Sequence, residues 1–254
     1  MIFDTHAHYD DDEFDPDRDA LLSSLSAAGI AYVVNPGCTV ESSRAAAALA
    51  ERYPFLYAAA GIHPEGCGAC TEEDWAAIRE LCARPKVVAV GEIGLDYHWA
   101  ENPPREVQHA VFRRQLQLAR EVKLPVIIHD RDAHGDTMDI LGEFPDVRGV
   151  FHCYSGSAEL ARELLRRGWY LGFDGPVTYV NARRAAEVVR AVPLERMLLE
   201  TDAPYLAPVP NRGKRNDSTN LHYVAETLAA WKGISPEELE EATLQNAKKF
   251  FGIE

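Results

Sequence analysis

The chain repeats one pattern eight times: a short apolar run rich in β-branched residues, followed by a longer stretch with helical spacing. The apolar runs begin near Ile2, Ala31, Leu56, Val87, Pro125, Gly149, Trp169 and Met197, a mean interval of about 28 residues. Between them lie amphipathic stretches at Arg18 to Ala28, Glu41 to Arg52, Glu72 to Ala83, Pro104 to Val122, Asp136 to Glu143, Ala158 to Arg167 and Ala182 to Ala191. A strand that is always followed by a helix feeds a parallel sheet, because parallel neighbours need a crossover. Eight such pairs in 254 residues predict a closed (β/α)8 TIM barrel forming a single domain over residues 1–254. An open doubly wound sheet would carry a Gly-rich phosphate loop after its first strand, whereas this first strand runs into histidines. Asn220 to Trp231 reads as the eighth crossover. A last helix then runs to Phe251, opened by Ser235, Pro236 and a capping-box Glu238.

The unusual polar residues fall where these strands stop. His6 and His8 close the first predicted strand, Glu92 the fourth, His129 the fifth, His152 the sixth and Asp202 the eighth. In a barrel of this kind the carboxyl ends of all strands open onto one mouth, so residues distant in sequence share a site. His6 and His8 are two apart on extended chain and leave the same face, a ready pair of ligands. Four imidazoles and two carboxylates exceed the needs of one tetrahedral zinc and suit two divalent ions. We assign His6, His8 and Asp202 to one ion and His129 and His152 to the other, with Glu92 bridging. Two ions about 4 Å apart activate a water and stabilise charge on the attacked and leaving oxygens, which is hydrolytic chemistry. Asp202 is placed to orient that water or accept its proton. His63, in Gly61-Ile62-His63-Pro64 at the end of the third strand, is placed to contact substrate or leaving group.

Net charge is −14, the wrong sign for a surface that holds phosphate backbones through exposed Lys and Arg alone. Metal charge answers this in part: two divalent ions against two carboxylates leave the mouth positive. Arg212-Gly213-Lys214-Arg215-Asn216 is the one dense basic cluster and follows the eighth strand, where Arg212, Lys214 and Arg215 would clamp substrate phosphates. Arg131, Ser155 and, as a stacking surface, Tyr154 are further substrate contacts. Asp10-Asp11-Asp12-Glu13 lacks the glycine and spacing of a calcium loop and reads as a solvated turn.

Five cysteines without a regular framework fit reduced thiols. Cys67 and Cys70 form an isolated Cys-x-x-Cys in a Gly-rich loop, read as incidental rather than as a redox pair or half a zinc site. The amino-terminal sequence lacks a basic start and apolar stretch, and no run of about 18 apolar residues occurs, so a cytoplasmic, membrane-free monomer is expected.

Asp4-Thr5-His6-Ala7-His8, Gly61-Ile62-His63-Pro64, Gly91-Glu92-Ile93-Gly94-Leu95-Asp96-Tyr97, Phe151-His152-Cys153-Tyr154-Ser155-Gly156, Glu200-Thr201-Asp202-Ala203-Pro204-Tyr205-Leu206 and the Arg212 cluster occur in this order. Together they resemble the TatD family of metal-dependent deoxyribonucleases, among the amidohydrolase-type barrels, over essentially the whole chain. The resemblance implies a barrel that hydrolyses phosphodiester bonds in DNA, commonly as a 3′–5′ exonuclease on single strands or free ends, in DNA repair or degradation. It also implies the same six metal ligands and the same substrate-side histidine, His63. From the donor chemistry, four imidazoles suit zinc, manganese, cobalt or nickel, whereas phosphoryl chemistry with carboxylates is often run on magnesium. The competing readings are another two-metal hydrolase of this barrel, acting on an amide, lactone, phosphotriester or aminoacyl ester, and a non-catalytic metal or nucleic-acid binding module. Relatives in the wider group bridge their metals with a modified lysine on the fourth strand, but here Glu92 stands there and Lys86 precedes the strand.

Overall fold

A computed structural model describes residues 1–254. Eight parallel strands follow one another in the sheet in sequence order: β1 (Ile2–Asp4), β2 (Ile30–Pro36), β3 (Leu56–Ala60), β4 (Val87–Asp96), β5 (Val126–Arg131), β6 (Gly149–Phe151), β7 (Tyr170–Phe173) and β8 (Met197–Leu199). An open doubly wound sheet reverses its strand order partway; this one never does. The last strand instead returns to the first. The Thr5 amide donates to the Leu199 carbonyl, the Asp202 amide to the His6 carbonyl, and Ala7 bridges Ala203 in parallel register. The fold is a (β/α)8 barrel.

Helices occupy the crossovers: α1 (Arg18–Leu25), α2 (Val40–Arg52), α3 (Glu72–Cys82), α4 (Arg105–Val122), α5 (His134–Gly142), α6 (Ala158–Arg166), α7 (Arg183–Ala191) and α8 (Leu221–Lys232), with α9 (Pro236–Phe251) as a carboxyl-terminal addition. Their starts are chemically marked. Thr39, Thr71 and Ser235 each close a capping box, satisfying amides that have no partner inside the helix. Gly252 ends α9 in the left-handed region, where a side chain would be strained.

The chain divides into two compact units, residues 1–34 with 153–254, and residues 35–152. In the first, Phe3, Val33, Leu171, Phe173, Leu198 and Leu199 from strands are buried, as are Val188 and Leu228 from helices. In the second, Val90, Ile93, Leu95, Ile127 and Ile128 are buried, with Phe112 and Leu116 of α4. Each such side chain removed from water contributes about 1.5–3 kcal/mol, so continuous apolar strands are what a sheet covered on both faces requires.

Three details depart from the sequence expectation. His129 does not end β5, which runs on to Arg131, and Glu92 does not end β4; that strand continues to Asp96. Register against β5 slips between Val90 and Ile93, so one extra residue of β4 is accommodated near Glu92, the kind of bulge that re-aims a side chain. The Cys67 region is not an open loop but a short 3-10 turn, Pro64–Ala69, for which His63 is the cap.

Candidate metal centre

In the first unit, β1 delivers His6 and His8 just beyond its last residue. Their Nε2 atoms lie 3.1 Å apart, and Asp202 Oδ1 is 3.5 Å from each. Asp202 reaches this position because its backbone is left-handed, φ +59°, a region that Asp enters more readily than most residues. Its amide holds the His6 carbonyl at 2.8 Å, and its own carbonyl receives the Tyr205 amide. Beneath lies Asp4, fully buried, accepting from Ser218 Oγ at 2.6 Å, Thr201 Oγ1 at 2.7 Å and the Thr201 amide at 3.0 Å. Burial pushes the Asp4 carboxyl up to about 6 even though these donors, with the His6 amide, act in the opposite direction.

Glu200, also fully buried, accepts from the Cys153 amide and from Thr5 Oγ1. Its carboxylate fits because residue 172 is glycine: a Cβ there would lie 2.3 Å from Glu200 Oε2. Neither Asp4 nor Glu200 was singled out by sequence. Both sat inside quoted motifs, but buried carboxylates that brace backbone look the same in sequence as carboxylates that act on a ligand.

In the second unit, Glu92 Oε1 lies 2.8 Å from His129 Nδ1 and 2.7 Å from His152 Nε2, with those two nitrogens 3.4 Å apart. His63 stands beside them, Nε2 3.7 Å from the same Glu92 oxygen and its ring 4.3 Å from that of His129. Its other nitrogen accepts the Glu65 amide at 3.3 Å. Behind His129 stands Asp96, whose Oδ2 is 2.9 Å from His129 Nε2. Burial disfavours charge on His129, but the hydrogen bonds to Asp96 and Glu92 outweigh it and raise the ring to about 9. A carboxylate on the far nitrogen of an imidazole fixes its tautomer and orientation, the usual second partner of a metal-binding histidine. Asp96→Asn is therefore expected to lower divalent-ion affinity by about 10- to 100-fold with the fold retained. Calorimetric titration with the ion beside a circular dichroism spectrum checks it, and unchanged affinity would remove the orienting role.

Two glutamines of α4 lock these strand ends. Gln115 receives the Ile62 amide at 2.8 Å and donates to the Ile62 carbonyl at 2.9 Å; Gln108 does the same for Asp96 at 2.9 and 3.0 Å. Gly94 permits close approach of the neighbouring strand, since a Cβ there would lie 1.9 Å from the His129 carbonyl oxygen. Cys38 adds a thiol 3.9 Å from Glu92 Oε2, a neighbour the sequence reading did not identify.

Each unit thus offers two imidazole nitrogens and a carboxylate oxygen at mutual distances of 2.7 to 3.5 Å. Mixed nitrogen and oxygen donors of this kind suit divalent transition ions. Cys67 and Cys70 join neither set. Burial pushes the Cys67 thiol up to about 11 and raises Cys70 as well, the opposite of a reactive thiolate.

The expected substrate contacts have varied surroundings. Arg212 lies over the Tyr179 ring at 4.3 Å, and Lys214 Nζ donates to Asn211 Oδ1 at 3.2 Å. The Arg215 guanidinium is spent on Asp17, two bonds of 2.7 Å, on the Glu13 carbonyl, and on packing over Phe14. Asn216 at the end of that cluster is fully buried and donates to the Thr201 and Tyr205 carbonyls. Tyr154 donates its hydroxyl to the Ser157 carbonyl, and Ser155 is exposed beside it. The acidic run at Asp10 is more than a solvated turn, since Arg18 donates to the Tyr9, Asp10 and Asp11 carbonyls.

Comparison with known proteins gives a consistent picture. A family model described as TatD related DNase matches residues 3–252. A relative from Bacillus subtilis, an uncharacterized metal-dependent hydrolase, is 46% identical over 255 residues, covering all of both chains. The 3′–5′ ssDNA/RNA exonuclease TatD of Cronobacter sakazakii is 38% identical over 260 residues, covering 98% of this chain and 97% of that one. A crystal structure of a TatD homologue from Escherichia coli superposes with a TM-score of 0.93 at 33% identity, over 100% of this chain and 98% of that one. No helix is long and apolar enough to cross a membrane.

Proposed function

Because the chain belongs to the TatD-related DNase family of metal-dependent hydrolases, enzymes acting on ester bonds, we propose that it hydrolyses phosphodiester bonds in DNA, removing nucleotides from the 3′ side of single strands or free ends. The reading takes residues 1–254 as one catalytic domain acting as a monomer, in keeping with a family match that spans residues 3–252. His6, His8 and Asp202 would hold one divalent ion and His129 and His152 a second, with Glu92 serving both. When bound, the ions supply Lewis acidity toward the phosphoryl oxygens and lower the pKa of a water.

The chain's own groups do the rest. Asp202 orients the attacking water and takes its proton; its strained backbone is the kind of cost that persists at working sites. His63 faces the substrate, its Nδ1 occupied by the Glu65 amide so that Nε2 is the atom directed at the site. Arg212 and Lys214 contact phosphates from the rim, and Arg215 stiffens that loop through Asp17. Ser155 and Tyr154 line the same path.

The observation that supports this reading is Glu92: one buried carboxylate oxygen within 2.8 Å of two imidazole nitrogens gathers three donors for one divalent ion, an arrangement packing alone does not call for. The test is metal analysis of the purified protein, followed by an activity panel with single-stranded DNA, duplex DNA and RNA before and after chelation. Release of mononucleotides from 3′ ends, abolished by EDTA and restored by a divalent ion, is the expected result. Failure to cleave any of the three with ions restored overturns the proposal.

A further inference from the structure

The turn that follows β4 carries an indole that the fold does not need. Trp99 keeps 45% of its surface exposed, whereas Trp75 and Trp169 are buried. It is nonetheless held in place. The His98 ring meets it at 4.7 Å and 86°, and the Arg131 guanidinium lies 5.3 Å from its centroid. The turn hangs on Asp96, whose Oδ1 accepts the His98 amide at 2.8 Å and Asn102 Nδ2 at 3.1 Å, while Oδ2 orients His129.

Arg131 is the other half of the feature. It pairs with Asp96 across β4 and β5 and stands two residues beyond His129, on the same face and about 7 Å nearer the strand end. Three other arginines of this unit are paired with carboxylates: Arg113 with Glu143, Arg114 with Glu72, Arg120 with Asp146. The Arg131 guanidinium lies against the indole and within electrostatic reach of the Asp96 and Glu65 carboxylates, but makes no hydrogen bond to a protein acceptor. A flat aromatic surface beside a planar cation whose hydrogen-bond donors are unused by the protein matches a nucleotide, which offers a base to stack and a phosphate to bind. An apolar protein partner would leave Arg131 desolvated and unpaired, a cost with no return.

We propose that Trp99 and Arg131 form a nucleotide subsite on this rim, the indole stacking on a base and the guanidinium engaging the adjoining phosphate of the strand being cleaved. The subsite rests on the nuclease reading above, and it assigns to Trp99 a role in substrate binding rather than in chemistry.

The test pairs Trp99→Ala and Trp99→Phe with oligonucleotides carrying a single abasic residue at successive positions from the 3′ end. Trp99→Ala should raise KM for the intact strand about 10-fold with kcat nearly unchanged, and Trp99→Phe should recover most of the loss. At the contacted position, removing the base should cost the wild type a similar factor and cost Trp99→Ala nothing further. Equal responses of wild type and Trp99→Ala to every abasic position would overturn the subsite while leaving the nuclease reading intact. Were no oligonucleotide cleaved at all, quenching of tryptophan fluorescence by single-stranded DNA in the presence of chelator decides separately. Quenching that disappears in Trp99→Ala supports the subsite, and its absence in the wild type overturns it.

Discussion

Replacing Glu92 by Gln is expected to lower hydrolysis by about 10^3-fold and to reduce the bound ions, while the protein remains folded. The substitution keeps the shape of the side chain and removes only its charge. Glu92 is buried at 3% exposure among three imidazoles, so the neutral amide fits the same space and leaves no cavity. What disappears is the anion that His129 and His152 share. An amide oxygen is a poorer ligand for a divalent ion than a carboxylate, and one that must be shared is poorer still. Elemental analysis, activity against single-stranded DNA and thermal unfolding, run on one preparation, separate the outcomes. Full activity with the metal content of the wild type would end the bridging assignment.

Asp202→Asn should have an effect of similar size, through a weakened ion ligand and a lost proton acceptor together. Positioned proton transfer is worth about 10^2- to 10^4-fold, and the amide cannot accept the proton that Asp202 is assigned. Asn also enters the left-handed backbone region with little penalty, so the φ of +59° that aims the side chain survives the change. The loss should fall on kcat, with KM for the oligonucleotide little altered, because the phosphate contacts lie elsewhere. A loss confined to KM would move Asp202 from proton transfer to substrate binding.

The eight strands were legible because parallel strands covered on both faces must be apolar throughout, and runs such as Val126–Ile128 admit few other readings. The grouping of His6, His8 and Asp202, and of Glu92, His129 and His152, was legible because imidazoles that interrupt such runs together are poorly explained by packing. Glu92 lies against His129 and His152 as the sequence led one to expect, but it does not end its strand, because a one-residue bulge leaves no mark in hydrophobic periodicity. Asp96 read as part of a motif with no assigned task; its link to His129 depends on a pairing between strands that sequence spacing does not reveal. Arg215 looked like its neighbours in the basic cluster, yet its partner Asp17 lies 198 residues away. The fully buried or nearly buried amides of Gln108 and Gln115 were hidden for a simpler reason: on an amphipathic helix they resemble ordinary polar positions.

Those two glutamines are seven residues apart, two helical turns, and so project from one side of α4 about 10.5 Å apart. One holds the peptide before His63 and the other the peptide of Asp96. The helix therefore works as a ruler: the interval between the peptide that leads into His63 and the carboxylate beside His129 is set by the pitch of α4. Any change that bends or shifts α4 rescales both ends together. The inner edge of that helix should accordingly tolerate as little alteration as the donors it spaces.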